Sequence, residues 1–298
     1  MDIMSEYASC RLCARNCGVD RLSEKLGYCK SSYKTELARA ALHRWEEPIV
    51  SGDRGSGTVF FTGCSLGCIY CQNRSISRKI VGKEVTIKRL SDIMLELEKK
   101  GAHNINLVTP THYAPSVVKA VKSARENNLS LPIIYNTSSY DNVRTIDFLS
   151  DTVDVYLADF KYWLPATSQK YSMAQDYPSV AKAAIERMIL QKGNAIIQDG
   201  LIKSGVIVRI LLLPGHLAQA KLITSYLINE YGDSIYLSLM SQYTPFGNLP
   251  SPLDRKVGAH EYALLCDYAV KKGLRNGFIQ EGSSASESFI PQFDLSGV

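Results

Sequence analysis

Three cysteines within ten residues, Cys64, Cys68 and Cys71, are spaced C-x3-C-x2-C between Gly63 and Gln72. This puts three soft sulfur ligands on one short loop. Gly63 and Gly67 allow the tight turns by which three thiolates can converge on one centre. The loop follows an apolar run at 58–61 that reads as a buried strand. A [4Fe-4S] cluster normally takes four thiolates, so three on one loop leave one iron open to another ligand. Cys266 stands alone far along the chain, and the spacing does not point to it. A disulfide with a spare thiol and a three-cysteine zinc site are the plainer alternatives. Disulfides are disfavoured in a reducing compartment, and zinc sites more often join two knuckles from separate stretches.

A second group, Cys10, Cys13, Cys17 and Cys29, reads C-x2-C-x3-C-x11-C. Four soft ligands in twenty residues can close a tetrahedral site around zinc or hold a second iron–sulfur cluster. The closing Gly27-Tyr28-Cys29 turn leans toward a zinc-ribbon-like knuckle. Four free buried thiols are a poor explanation, because so short a polar segment has no core of its own. Cysteines grouped by four and by three are metal arithmetic, not a disulfide framework.

The rest of the chain must position these groups. With 298 residues, 45% of them hydrophobic and 21% charged, it is of ordinary globular composition and long enough for one large α/β domain with a small appendage. The net charge of +5 is mild and dispersed, so neither a nucleic acid nor an anionic membrane is an expected partner. No apolar run approaches a membrane span, and the first residues lack signal character. The expected location is the cytoplasm.

From Gly57 on, strand and helix patterns alternate. Strands are expected at 58–61, 104–108, 131–135, 153–158, 206–213 and 234–240. Helices are expected at 86–100, 116–127, 142–149, 167–174, 178–192, 217–230 and 258–272. Six strands alternating with helices imply a parallel sheet covered by helices, hence an α/β fold with an open (β/α)6 partial TIM barrel. The organisation is then a cysteine-rich metal-binding module at 1–50, the barrel at 51–275 and an extension at 276–298. The polar tail from about 281 either covers the barrel mouth or is loose.

Reactive groups of parallel barrels lie at the C-terminal ends of the strands. The first strand ends at the cysteine loop, and the next five end at Thr109-Pro110-Thr111-His112, Asn136-Thr137-Ser138, Asp159-Phe160-Lys161, Pro214-Gly215-His216 and Ser241-Gln242-Tyr243. All six ends are polar. Arg209 lies within the apolar fifth strand, where a charge without a partner would be costly. His112 and His216 suit a structural hydrogen bond as well as catalysis.

The cysteine loop after a first strand resembles the radical S-adenosylmethionine (SAM) enzymes, in which SAM chelates the open iron. Asp159-Phe160-Lys161, Arg209 with Pro214-Gly215, and Pro245-Phe246-Gly247 are similar to segments of pyruvate formate-lyase activating enzyme and other glycyl-radical activases. The chain as a whole most resembles activase-like radical SAM iron–sulfur proteins of prokaryotes, from Cys10 to Gly247. It departs from the activases in having Thr109-Pro110-Thr111-His112 where they carry Gly-Gly-Glu, and Gln242-Tyr243 where they carry Tyr-His. Its cysteine-rich module is also N-terminal.

The resemblance implies a [4Fe-4S] cluster on Cys64, Cys68 and Cys71, with Tyr70 against the adenine of SAM. Asp159, Asn136 and the hydroxyls of Thr109, Thr111, Thr137 and Ser138 would serve the ammonium and ribose, and Lys161 and Arg209 the carboxylate. The implied reaction is cleavage of SAM to a 5′-deoxyadenosyl radical that abstracts hydrogen from a substrate. That substrate is the glycine of a glycyl-radical protein, another peptide or a small molecule. The expected electron donor is an external flavodoxin or ferredoxin. Two rivals are a non-catalytic zinc or iron–sulfur interaction protein and an electron-transfer protein. The polar strand ends count against both.

Overall fold

Apolar runs alternating with amphipathic ones give a chain of strands and helices, seen in a computed structural model that describes residues 3–279 and 291–298. The first half supplies β1 (Thr35–His43), α1 (Pro48–Ser51), β2 (Ser56–Phe61), α2 (Arg74–Ser77), β3 (Lys83–Val85), α3 (Ile87–Lys99), β4 (Ile105–Val108), α4 (Ala114–Glu126), β5 (Ile133–Thr137) and α5 (Val143–Phe148). The second half adds β6 (Val155–Asp159), α6 (Pro165–Ser172), α7 (Tyr177–Lys192), β7 (Ile196–Gln198), β8 (Leu201–Leu211), α8 (Leu217–Tyr231), β9 (Tyr236–Met240), α9 (Ala259–Lys271) and β10 (Gly277–Ile279).

The strands form one sheet in the order β10-β9-β8-β6-β5-β4-β2-β1-β3, with β7 folded back on β8. From β2 to β10 all neighbours are parallel, whereas β1 runs antiparallel to β2 and to β3. Among the described residues β10 and β3 do not pair with one another, so the sheet remains an open partial barrel. Every residue of β2, β4 and β5 is buried, as a sheet covered on both faces requires. α3 illustrates how the cover is built. Thr86 caps it by accepting from the Arg89 N–H, and Leu90, Ile93, Met94 and Leu97 face the core at helical spacing.

The six expected strands and seven expected helices are present with small shifts at their ends. β8 begins earlier than expected because its first residues pair with β7 in a hairpin. β1, β3 and β10 were not expected. β1 lies within the stretch 1–50, so Thr35–His43 of that stretch belong to the sheet. Residues 280–290, where most of the polar tail falls, lie outside the described residues. Residues 291–298 run along β1, with hydrogen bonds between Ala40 N–H and Ser296 O at 2.8 Å and between Leu295 N–H and Ala38 O at 3.0 Å.

Strand alternation divides the barrel interior into two levels. At the bottom Ile134, Val155, Leu157 and Ile207 pack around Val50 of α1, which plugs the interior. Two residues further along each strand the same face carries Asn136, Asp159 and Arg209. The apolar floor and the polar top thus follow from one period-2 pattern.

Candidate active site

β2 delivers the chain to Gly63, whose φ of +87° is open chiefly to glycine. A Cβ there would come within 2.6 Å of Ser31 Oγ and 2.7 Å of Cys29 O, so the N-terminal module seats directly on the start of the cysteine loop. Arg15 holds the loop from outside. Its guanidinium donates to the carbonyls of Ser65 (3.0 Å) and Leu66 (3.2 Å), and to those of Ser172 (2.8 Å) and Met173 at the end of α6. It also lies over the Tyr28 ring at 3.8 Å. Nothing in the sequence pattern flagged Arg15, because its partners are far away in the chain.

Cys64, Cys68 and Cys71 line one open cavity of about 1400 Å³, its mouth included. Cys64 Sγ accepts the Gly67 N–H at 3.4 Å and Cys68 Sγ accepts the Ser172 hydroxyl at 3.1 Å. Burial pushes the Cys64 thiol up to about 12, and Cys68 and Cys71 beside it add to the rise. Burial likewise raises Cys71, with Cys68 the next cause. Thiolates crowded together in such a place need a positive centre, as an iron core supplies. Three cysteines bordering one cavity are the donor set that would hold three corners of a cluster. Cys266 is elsewhere, part-buried on α9 against the core, and none of the eight cysteines forms a disulfide.

The same cavity is lined by Tyr70, Thr109, Asn136, Thr137, Ser138, Asp159, Lys161 and Arg209. Lys161 Nζ meets Asp159 Oδ2 at 2.7 Å and Arg209 Nε meets Asp159 Oδ1 at 2.7 Å. Arg209 also reaches Asn136 Oδ1 at 2.6 Å and Glu46 Oε2 at 3.2 Å. Burial would raise the Asp159 carboxyl, but the Arg209 and Lys161 charges overcome it and hold the group below its ordinary value. Burial would lower Lys161, and the Asp159 carboxylate overcomes it in turn. Arg209 was expected to pair the carboxylate of SAM. Here its donors go to Asp159, Glu46 and Asn136, which makes it the post that orients Asp159.

Thr111 does not reach the cavity. It is buried, and its hydroxyl donates to Asp141 Oδ1 at 2.7 Å. Thr137 lines the cavity, yet its hydroxyl also bonds the Asp141 carboxylate, and so does Tyr135 OH at 3.0 Å. Asp141 was not singled out in the sequence. It is a buried hub that ties β5 to the module through its bridge with Cys13. Thr109 holds φ at +59°, a strained conformation for a β-branched residue, and so turns the end of β4 into the cavity wall.

Tyr70 is nearly buried in a tyrosine cage, edge-on to Tyr243 at 6.0 Å and to Tyr162 and Tyr171 at 6.3 Å. Tyr243 therefore braces Tyr70, although the two come from separate loops. His112 is fully buried with Nε2 on Thr62 O at 2.6 Å, and burial together with Arg21 lowers its imidazole to about 3. His216 bonds Tyr171 OH and the Gln219 amide, both at 3.0 Å. Both histidines hold elements together, and neither lines the cavity.

Among the second cysteine group, Cys10, Cys13 and Cys29 are buried and Cys17 is exposed. Between them lies the fully buried Arg21, whose acceptors are the carbonyls of Ser31, Ser32 and His112 and the Cys10 sulfur at 3.7 Å. Among the described residues no three His, Cys, Asp or Glu side chains converge closely enough to enclose a single metal ion. No helix among the described residues is long and apolar enough to cross a membrane.

The sequence pattern of the Radical SAM superfamily matches residues 58–216, just over half of the chain. An uncharacterized protein of Methanocaldococcus jannaschii is 28% identical over 250 residues, covering 80% of this chain and 67% of the relative. Among solved structures, Streptococcus suis SuiB bound to S-adenosylmethionine aligns with a TM-score of 0.48 and 12% identity, over 73% of this chain and 48% of SuiB. SuiB bound to the precursor peptide SuiA gives a TM-score of 0.48 and 13% identity, over 74% and 46%. The chain thus spans about half the length of the solved structures it matches.

Proposed function

The chain belongs to the radical SAM superfamily, and on that premise we propose that it is an enzyme that cleaves SAM at a cluster held by Cys64, Cys68 and Cys71, the resulting radical abstracting hydrogen from a substrate. The family implies a [4Fe-4S] cluster and SAM. One observation carries the reading for this chain: the three cysteines line a single cavity together with Tyr70, Asp159 and Lys161. When bound, the cluster and SAM supply a one-electron cleavage that yields methionine and the 5′-deoxyadenosyl radical.

The chain's own residues bind, orient and shield. Lys161 holds the carboxylate of SAM, Asp159 accepts from its ammonium, and the Thr109 and Ser138 hydroxyls serve the ribose. Tyr70 packs on the adenine, and the tyrosine cage keeps water from the reacting atoms. Arg209, Asp141, Thr111 and Thr137 position these groups. Anaerobic reconstitution, reduction by dithionite and assay of 5′-deoxyadenosine test the reading. Product is expected from the wild type and none from Cys68→Ala, and equal yields overturn it.

Within this class we favour activation of a glycyl-radical protein, because Asp159-Phe160-Lys161 and Pro245-Phe246-Gly247 stand where the activases carry similar segments. Another peptide or a small molecule remains the alternative substrate. A flavodoxin or ferredoxin would donate the electron, and a cytoplasmic setting suits oxygen-sensitive chemistry. Cys10, Cys13, Cys17 and Cys29 are the donor set for an additional centre, and the Arg21 charge buried among them supports an anionic metal–thiolate site. Metal analysis of the same preparations decides its kind: about one zinc per chain for a zinc site, or about eight irons per chain for a second cluster.

A further inference from the structure

Beside the cavity lies a side chamber of about 790 Å³, its mouth included, formed by residues 45–48, the ends of β8 and β9, and β10. The two spaces are neighbours, with Trp45, Glu46, Arg209, Met240 and Gln242 lining both. No cysteine, and neither Tyr70, Asp159 nor Lys161, borders the chamber. It is therefore the end away from the cluster and the residues assigned to SAM.

Its acidic residues are not equivalent. Glu46 is satisfied, with Asn106 Nδ2 at 3.0 Å on one oxygen and Arg209 at 3.2 Å on the other. Glu47 is 8% exposed, and its Oε2 is buried with no hydrogen-bond partner. Across both spaces the carboxylates are Asp159, Glu46 and Glu47, and the cations are Lys161 and Arg209. Lys161 and Arg209 are hydrogen-bonded to Asp159 and Glu46, whereas Glu47 feels the Arg209 charge but its Oε2 is left without a hydrogen-bond partner among the described residues. A buried carboxylate oxygen left without a partner is costly, and in a native structure it calls for an explanation such as a bound ligand. Burial raises the Glu47 carboxyl, and the Arg209 charge only partly offsets the rise.

We propose that the side chamber is the substrate end of the site and takes a cationic group of the substrate, an alkylammonium or guanidinium, against Glu47. The identification as a substrate end rests on the radical SAM reading; the cation preference does not. The aromatic rings suit the same ligand. Trp45 and Phe278 line the chamber, and aromatic faces attract organic cations. A divalent metal fits less well, because it needs several oxygen ligands and one free carboxylate is on offer.

The test is ligand-observed NMR titration of the reconstituted, oxidised protein with n-butylammonium, and with n-butanol as a neutral probe of similar size. Butylammonium is expected to bind at least about tenfold tighter than butanol, one pairing's worth. Glu47→Gln is expected to remove that preference and to leave SAM affinity unchanged. Equal binding of the two probes by the wild type overturns the proposal without recourse to any variant. So does a Glu47→Gln protein that keeps the preference, or one that loses SAM binding instead, since the cation would then be that of SAM. Absence of 5′-deoxyadenosine with the preference intact would refute the enzymatic reading and the substrate label alone.

Discussion

Arg209 on β8 and Asp159 on β6 are register partners, and the guanidinium Nε donates to the carboxylate Oδ1 at 2.7 Å. This leaves Oδ2 for Lys161, so a charge in the middle of an apolar strand fixes the orientation of a lysine on the next turn of chain.

Removing Arg209 leaves Asp159 and Glu46 buried without their main counter-charge. Arg209→Met should therefore destabilise the fold by about 3 kcal/mol, at the low end for a broken buried pair because the side chains retain some exposure. Urea denaturation of the metal-free protein measures it. A loss below about 1 kcal/mol would show that solvent already screens the network.

Lys161→Ala should weaken SAM binding by roughly 1.5–3 kcal/mol, the worth of a hydrogen bond to a charged group. Iron content should not change, because no sulfur ligand is touched. Equilibrium dialysis of SAM against reconstituted protein, with iron analysis of the same samples, separates the two quantities. Unaltered affinity would remove Lys161 from the cofactor site.

Arg15→Ala should loosen the cysteine loop without unfolding the barrel, since it deletes a clamp to four carbonyls at its rim. The expected result is faster loss of iron during anaerobic gel filtration, with the helical circular dichroism retained. Arg15→Lys should recover only part of the retention, because an ammonium lacks the planar fork. Wild-type retention in Arg15→Ala would mean that the loop holds its shape alone.

His112 gives a pH dependence of known sign. Its folded-state value is about 3, whereas the unfolded chain binds that proton near pH 6.5. The site contributes its stability fully above about pH 6.5 and loses it as pH falls toward about 3. The slope within that window is at most about 1.4 kcal/mol per pH unit. Between pH 7 and pH 5 the urea midpoint of the wild type should fall more steeply than that of His112→Gln. Parallel lines would contradict this assignment.

Strands and helices were legible because short apolar runs and period-3.6 patterns persist in this chain, as in β2 and α3. β1 was missed because Thr35–His43 mixes small residues with charges and sits beside cysteines that draw the eye to metal chemistry. The cysteine loop and the strand ends were legible from spacing and position. Arg15, Asp141 and Glu47 were not, because each owes its role to segments that meet only after folding. Asp141 gathers hydroxyls from the ends of two strands, and Glu47 matters through the partner it lacks. Such roles have no local sequence signature.

The measurement closest to the central claim is electron paramagnetic resonance of the dithionite-reduced protein with and without SAM. If Cys64, Cys68 and Cys71 hold a cluster whose open iron faces the cavity of Asp159 and Lys161, SAM should shift the signal of that cluster. In Cys68→Ala the shifted signal should be absent. Spectra that are identical with and without SAM, at concentrations that saturate binding, would contradict the account.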